Sequence, residues 1–122
     1  YIREVMWPAL RRGAARAGRS LDGFAVSIKP LIATAPDEAS LAEKVRDVRA
    51  RVAFYASTPA YRAAFELHGL GELAERLKHY SRAQRWEEMP ALIDDEVLHE
   101  YACVGTYDEI ADKLAARYGG LV

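Results

Sequence analysis

Hydrophobic positions along the chain mark a series of amphipathic helices separated by short breaks. Apolar side chains recur at helical spacing from residue 2 to residue 17, across Pro8, which predicts one helix that is kinked or restarted at this proline. A longer helix is predicted after Pro36-Asp37, and shorter helical runs follow it. The apolar stripe of the longer helix, spaced by four and three residues, is Leu41, Val45, Val48, Val52 and Tyr55.

Residues 24–34 have a different period, because apolar and other side chains alternate there as they do along a β-strand. We therefore predict one clear strand over about 24–34, irregular or ending early near Pro30, which has no N–H to donate. The backbone of a strand needs partners. Since Leu121-Val122 is the only other strand-like segment recognised, the partners are predicted to come from missing sequence or from another copy of the chain.

Several polar residues have the spacing of helix caps. Thr58, before Pro59, is predicted to cap a short helix, and Thr106 with Glu109 has the T-x-x-E spacing of a capping box. The acidic pairs Glu87-Glu88 and Asp94-Asp95 are interpreted as helix starts rather than as acid–base pairs. A helix from Asp94 or Asp95 is predicted to continue through residue 102 and beyond.

Candidate chemistry on that helix is weak. His99 and Cys103 are four residues apart, so they could form a nucleophilic pair, or a metal-binding face with Asp95. No further ligands occur at suitable spacing, and a lone cysteine among small apolar residues is typical of a core position. We therefore predict that Cys103 is buried, and we predict no metal site.

The stretch from Arg51 to Gly71 holds four of the ten Tyr and Phe residues around the break Ser57-Thr58-Pro59. It predicts a corner between two helices with aromatic rings on both sides. Such a corner either wedges a core or lines a pocket. His68, just before Gly69, could donate to a substrate or bind free carbonyls of a last helical turn.

Composition and charge narrow the class of protein. The chain has 51% hydrophobic and 29% charged residues, as in a globular domain, with no membrane-spanning run and no signal peptide. The single cysteine excludes an internal disulfide and indicates a reducing, cytoplasmic compartment. Residues 1–51 carry a net charge of +4, but the arginines flank apolar stripes, so we expect a solvated face and no nucleic-acid partner. The first and last residues suggest a piece of a longer chain.

Two sequence blocks carry a resemblance to a known family. AFYASTPAY, residues 53–61, followed by His68-Gly69, and VGTYDEIADKL, residues 104–114, resemble the C-terminal part of the luciferase-like monooxygenases. The nearest subgroup is that of the flavin- or deazaflavin-dependent oxidoreductases. The resemblance implies an α/β fold, the C-terminal part of a (β/α)8 barrel, with residues 1–122 as one incomplete segment that is mostly helical.

The resemblance also implies the chemistry. The intact protein would bind flavin mononucleotide (FMN) or the deazaflavin F420 and act on a small organic substrate, whereas the fragment alone would bind no cofactor and be inactive. Most cofactor contacts would come from earlier strands, so no catalytic or cofactor-binding residue is assigned. The substrate-pocket candidates are Phe54, Tyr55, Ser57, Tyr61 and His68.

Two alternatives remain open from the sequence. The aromatic rings could instead pack helices on the outside of the barrel. The chain could also be a non-enzymatic helical module that binds a partner, or a second copy of itself, through the Leu41–Tyr55 stripe. The expected partners are otherwise the remainder of its own barrel and the substrate, with no membrane.

Overall fold

The computed structural model describes all of residues 1–122, which form two compact units. The first unit consists of Tyr1–Lys29 and Tyr118–Val122. It begins with a π-helical turn, Ile2–Met6, which leads directly into helix α1, Trp7–Arg16. Pro8 lies in the first turn of α1, where a missing N–H costs no hydrogen bond. The predicted helix that restarts near Pro8 is confirmed.

The segment after α1 is not a strand as far as Pro30, so the predicted strand over 24–34 is wrong in its first seven residues. The alternating side chains there are exposed or half-buried, and Phe24 is half exposed. No strand of the chain pairs with these residues, and Pro30 cannot donate to a ladder. Alternation alone therefore did not identify a strand.

The second unit, Pro30–Arg117, contains a two-stranded parallel sheet. Strand β1, Leu31–Ala35, pairs with strand β2, Ala102–Thr106, in a register that runs from Leu31 opposite Ala102 to Ala35 opposite Thr106. The predictions that β1 has no partner within the chain, and that the helix after Asp94 continues past residue 102, are therefore wrong. Leu121 and Val122 form no strand either.

Helix α2, Glu38–Ser57, follows β1 and packs against it. The Asp37 carboxylate caps α2 by accepting from the Ser40 N–H at 2.8 Å. The predicted stripe is confirmed along most of α2, since Leu41, Val48 and Val52 are all at least 94% buried. Because Leu41, Val48 and Val52 lie in the core, little of the stripe is free surface, and the partner-binding role considered for it stays an untested prediction.

Shorter helices complete the unit. They are the 3-10 turn Pro59–Tyr61, α3 Arg62–Glu66, α4 Gly71–Arg82, the 3-10 segment Trp86–Leu92, α5 Asp95–Tyr101 and α6 Tyr107–Tyr118. Leu77 of α4 and Leu98 of α5 are almost completely buried, together with Met89 and Ile93 between them. Burying each such side chain contributes roughly 1.5–3 kcal/mol, so this core holds the helices on α2.

The caps differ from their predictions in one case. Asp94 caps α5 as expected, accepting from the Val97 N–H at 2.8 Å. At the start of α6 the Glu109 carboxylate accepts from the Thr106 N–H at 3.1 Å, which is the carboxylate half of the predicted capping box. Thr58 caps nothing, because its hydroxyl donates back to the Phe54 carbonyl at 3.1 Å.

Arg117 connects α6 to the end of α5. Its guanidinium donates to the His99 carbonyl at 2.6 Å and to the Ala102 carbonyl at 3.1 Å, and also to the Glu100 carbonyl. These are carbonyls that the end of a helix leaves without partners. The fold is thus α/β and mostly helical, and none of its helices is long and apolar enough to cross a membrane.

Candidate functional site

The two strands define one end of the second unit. Because β1 and β2 are parallel, their carboxyl ends lie at the same edge of the sheet. Asp37 follows β1 at this edge, and Tyr107, which is 61% exposed, follows β2. Ligands of parallel α/β folds bind at the carboxyl ends of the strands, so a binding site is expected at this edge.

The face of the sheet opposite α2 carries an unpaired polar atom. Ala33 and Ala35 are buried toward α2, so Thr34, between them, points to the other face. Its Oγ1 is buried and has no hydrogen-bond partner. Buried hydroxyls are nearly always bonded in folded proteins, so the Thr34 hydroxyl is an exception in this chain.

Opposite Thr34 in the register lies Gly105, the residue without a side chain in β2. A Cβ placed there would come within 3.1 Å of the Glu109 carboxylate and of the Lys113 side chain. Lys113 donates to Glu109 at 3.0 Å and to the Val104 carbonyl at 3.1 Å. The glycine therefore lets this ion pair lie close against the end of β2.

Two side-chain carboxylates that have local hydrogen-bond partners dominate the electrostatics at this edge of the sheet. The Lys113 ammonium, and then the Thr106 N–H, hold the pKa of the Glu109 carboxyl below its usual value of 4.5. Hydrogen bonds from Ser40 likewise lower the pKa of Asp37. Both groups are anionic near neutral pH and are occupied by local partners, so neither has the raised pKa of a general acid.

The predicted aromatic corner is present and its rings contact one another. Tyr55 and Tyr61 meet edge to face at 5.3 Å between centroids, and Phe54 lies 5.9 Å from Tyr55. Trp86, which the sequence did not link to the corner, joins at 6.3 Å from Phe54. We call these four residues the aromatic cluster. All are 38–53% exposed, so the cluster is a surface feature in this chain.

The two remaining pocket candidates do not join the aromatic cluster. Ser57 is buried, and its hydroxyl donates to the Phe54 carbonyl at 2.7 Å. His68 lies 3.1 Å from the Glu100 carboxylate and contacts the Tyr101 ring edge to face. His68 therefore belongs to a packing group between α3 and α5, in which burial raises the pKa of the Tyr101 phenol. No hydrogen bond from His68 to a helix carbonyl is seen, and its role as a substrate donor stays a prediction.

The position of the aromatic cluster relative to the strands follows from α2. This helix starts at the carboxyl end of β1 after two connecting residues and packs back along the sheet. Phe54 and Tyr55 are the seventeenth and eighteenth residues of this helix, so at about 1.5 Å per residue they lie roughly 25 Å from the strand ends. The pocket role of the cluster is not tested by this geometry and stays a prediction.

The other chemical candidates separate into structural roles. His99 lies on α5 and Cys103 in β2, where Cys103 is buried as predicted and unpaired. Glu88 binds Arg85 at 2.5 Å, and Asp95 pairs with Arg49. No group of three or more His, Cys, Asp or Glu side chains is arranged to hold a metal ion.

Comparison with known proteins decides the family. The sequence profile of the luciferase-like monooxygenases matches residues 1–122, the whole chain. The chain belongs to the luciferase-like monooxygenase family. The resemblance of the two sequence blocks is thereby confirmed, and the α/β structure with parallel strands agrees with the barrel fold of this family.

The names of the individual relatives of this luciferase-like chain state no activity. Uncharacterized proteins of Mycobacterium tuberculosis (strain ATCC 25618 / H37Rv) and Mycobacterium bovis (strain ATCC BAA-935 / AF2122/97) are each 47% identical to it over all 122 residues. The chain spans 36% of the length of these relatives. No solved structure matches the chain.

Proposed function

We propose that the intact protein is a flavin- or deazaflavin-dependent oxidoreductase or monooxygenase, and that this chain forms the C-terminal part of its barrel. The observation that carries the proposal is the parallel pairing of β1 with β2 in a chain that the family profile covers from end to end. Two neighbouring strands joined by helices are the repeating unit of a (β/α)8 barrel. The remaining strands would come from the rest of the protein.

The substrate side of the barrel would lie at the carboxyl ends of β1 and β2. Four residues of this chain lie at or near that edge: Thr34, Asp37, Gly105 and Tyr107. Asp37 and Tyr107 are exposed there, whereas the space that a side chain at Gly105 would take is filled by Glu109 and Lys113.

A flavin-type cofactor would supply the electron or hydride transfer, and the protein would orient the reactants. In this account Thr34 and Gly105 are wall residues, and Tyr107 covers the rim. None of them has the environment of a nucleophile or general acid, which supports chemistry that belongs to a cofactor. We place the intact protein in the cytoplasm, since its one cysteine in this segment is buried and unpaired.

The experiment is a titration of the intact protein with FMN and with the deazaflavin, each in its oxidised and reduced form. Absorbance and fluorescence report binding of either cofactor. We expect saturable binding of one of them below about a millimolar. Binding of neither at that concentration would make the assignment of function wrong, even if the barrel is right.

A further inference from the structure

The first unit carries charged side chains that the barrel account does not use. It holds six Lys or Arg residues against two Asp or Glu residues. Arg3 and Arg11 are exposed, and neither forms an ion pair. Most exposed arginines lie along an open helix face, but these two border the same cavity.

This cavity has a volume of about 280 Å³ and is lined by Arg3, Trp7, Arg11, Gly120 and Leu121. Trp7 lies midway between the two arginines in sequence, four residues from each. Its indole N–H donates to the Leu121 carbonyl at 2.8 Å, so the ring has a fixed orientation. The two guanidinium groups and one held aromatic ring therefore border one open groove on the surface of the first unit.

A second, more apolar cavity adjoins the same tryptophan. It has a volume of about 310 Å³, and Phe24, Val26 and Val122 line it together with Trp7. An apolar wall therefore lies on one side of Trp7, and two unpaired cations lie on the other. Small-molecule sites use this arrangement to orient their ligands. A guanidinium matches the planar geometry of a carboxylate, and an indole stacks on aromatic rings.

We propose that the Arg3–Trp7–Arg11 cavity binds a small aromatic carboxylate, with its anionic group on the two guanidiniums and its ring against the Trp7 indole. The inference concerns the first unit alone and does not depend on the redox function. A nucleic-acid strand is disfavoured as the occupant because the cavity is small and half of its surroundings are apolar.

The test is a ligand-detected NMR titration of the intact protein with phenylacetate, with phenylacetamide as its uncharged counterpart. We expect phenylacetate to bind and phenylacetamide to bind at least about tenfold more weakly, because charge-assisted hydrogen bonds are lost. Arg3→Gln and Arg11→Gln should each raise the Kd for phenylacetate by about tenfold. Arg12→Gln is the matched control, since Arg12 is exposed on the same helix but does not line the cavity.

Three results would overturn the proposal. Equal weakening by Arg12→Gln would mean that diffuse positive charge attracts the ligand. Equal binding of phenylacetamide would mean that the guanidiniums take no part in recognising the ligand. Tighter binding of a single-stranded oligonucleotide that is lost with Arg12→Gln as well as with Arg3→Gln would identify a macromolecular surface instead. Trp7→Phe, which keeps a ring and removes the N–H, should weaken phenylacetate without abolishing it.

Discussion

Ser57 and Thr58 both donate to the carbonyl of Phe54, at 2.7 and 3.1 Å, at the end of α2. Asp37 and Asp94 accept from the N–H groups at the starts of α2 and α5. At the scale of the residue, each of these polar side chains forms a hydrogen bond with a backbone group. Residue type predicted the Asp94 cap, but it could not predict the direction in which the Thr58 hydroxyl points. A threonine between two helices serves either one, and the choice depends on the turn geometry.

Glu109 gives a prediction for the pH dependence of stability. Lys113 and Thr106 lower the pKa of the Glu109 carboxyl in the folded chain. Its contribution to stability is therefore fully present above about pH 4.5 and is lost as the pH falls below that value. Glu109→Gln should therefore destabilise the chain near neutral pH and reduce the steepness of its acid loss. Thermal melts at intervals of about one pH unit between pH 3 and pH 7 measure this loss of stability.

Glu96→Gln is the control for that series, since Glu96 is an exposed carboxylate on α5 that forms no ion pair. It should leave the slope of the acid loss unchanged. If Glu109→Gln and Glu96→Gln gave the same slope as the unmodified chain, the Glu109–Lys113 pair would have no role in stability.

At the scale of elements, α2 separates two groups of exposed rings. Tyr107 lies at the carboxyl end of β2, whereas Tyr61 lies just beyond the far end of α2. The two side chains are comparably exposed, at 61% and 48%, so they form a matched pair. We expect Tyr107→Ala to raise the KM of the intact protein for its substrate and Tyr61→Ala to leave it within about twofold, because active sites of such barrels lie at the strand ends.

Steady-state kinetics on the two variants measure this difference, with His68→Ala as a third variant that should behave like Tyr61→Ala. A raised KM for Tyr61→Ala with an unchanged one for Tyr107→Ala would instead support the pocket role predicted for the aromatic cluster. That outcome would also mean that the rest of the protein brings its substrate side to the far end of α2.

The elements themselves show where sequence patterns suffice. The 4-3-4 stripe of α2 was readable because Leu41, Val48 and Val52 are buried against a single layer. Strand β2 could not be predicted from its sequence pattern. Ala102 follows Tyr101 without Gly or Pro and continues the helical spacing of Val97 and Leu98. Short strands buried in parallel sheets lack alternation, so periodicity cannot separate them from a helix.

At the scale of the whole molecule, family resemblance supplied what local patterns could not. The barrel expectation rested on two sequence blocks, one of which, residues 104–114, contains most of β2 and the start of α6. The sequence could not indicate the site proposed at the strand ends, because Thr34 and Gly105 are 71 positions apart and become neighbours only through the register. Neither residue has a spacing that marks it in the sequence.

The central claim is that β1 and β2 are neighbouring strands of a redox barrel whose site lies at their carboxyl ends. A structure of the intact protein with its cofactor bound tests it most directly. The account predicts that β1 pairs on its second edge with a strand from the rest of the protein, and that the cofactor lies on the side of Thr34, Gly105 and Tyr107. A cofactor beside Phe54 and Tyr61, or a β1 edge left unpaired in the complete protein, would contradict it.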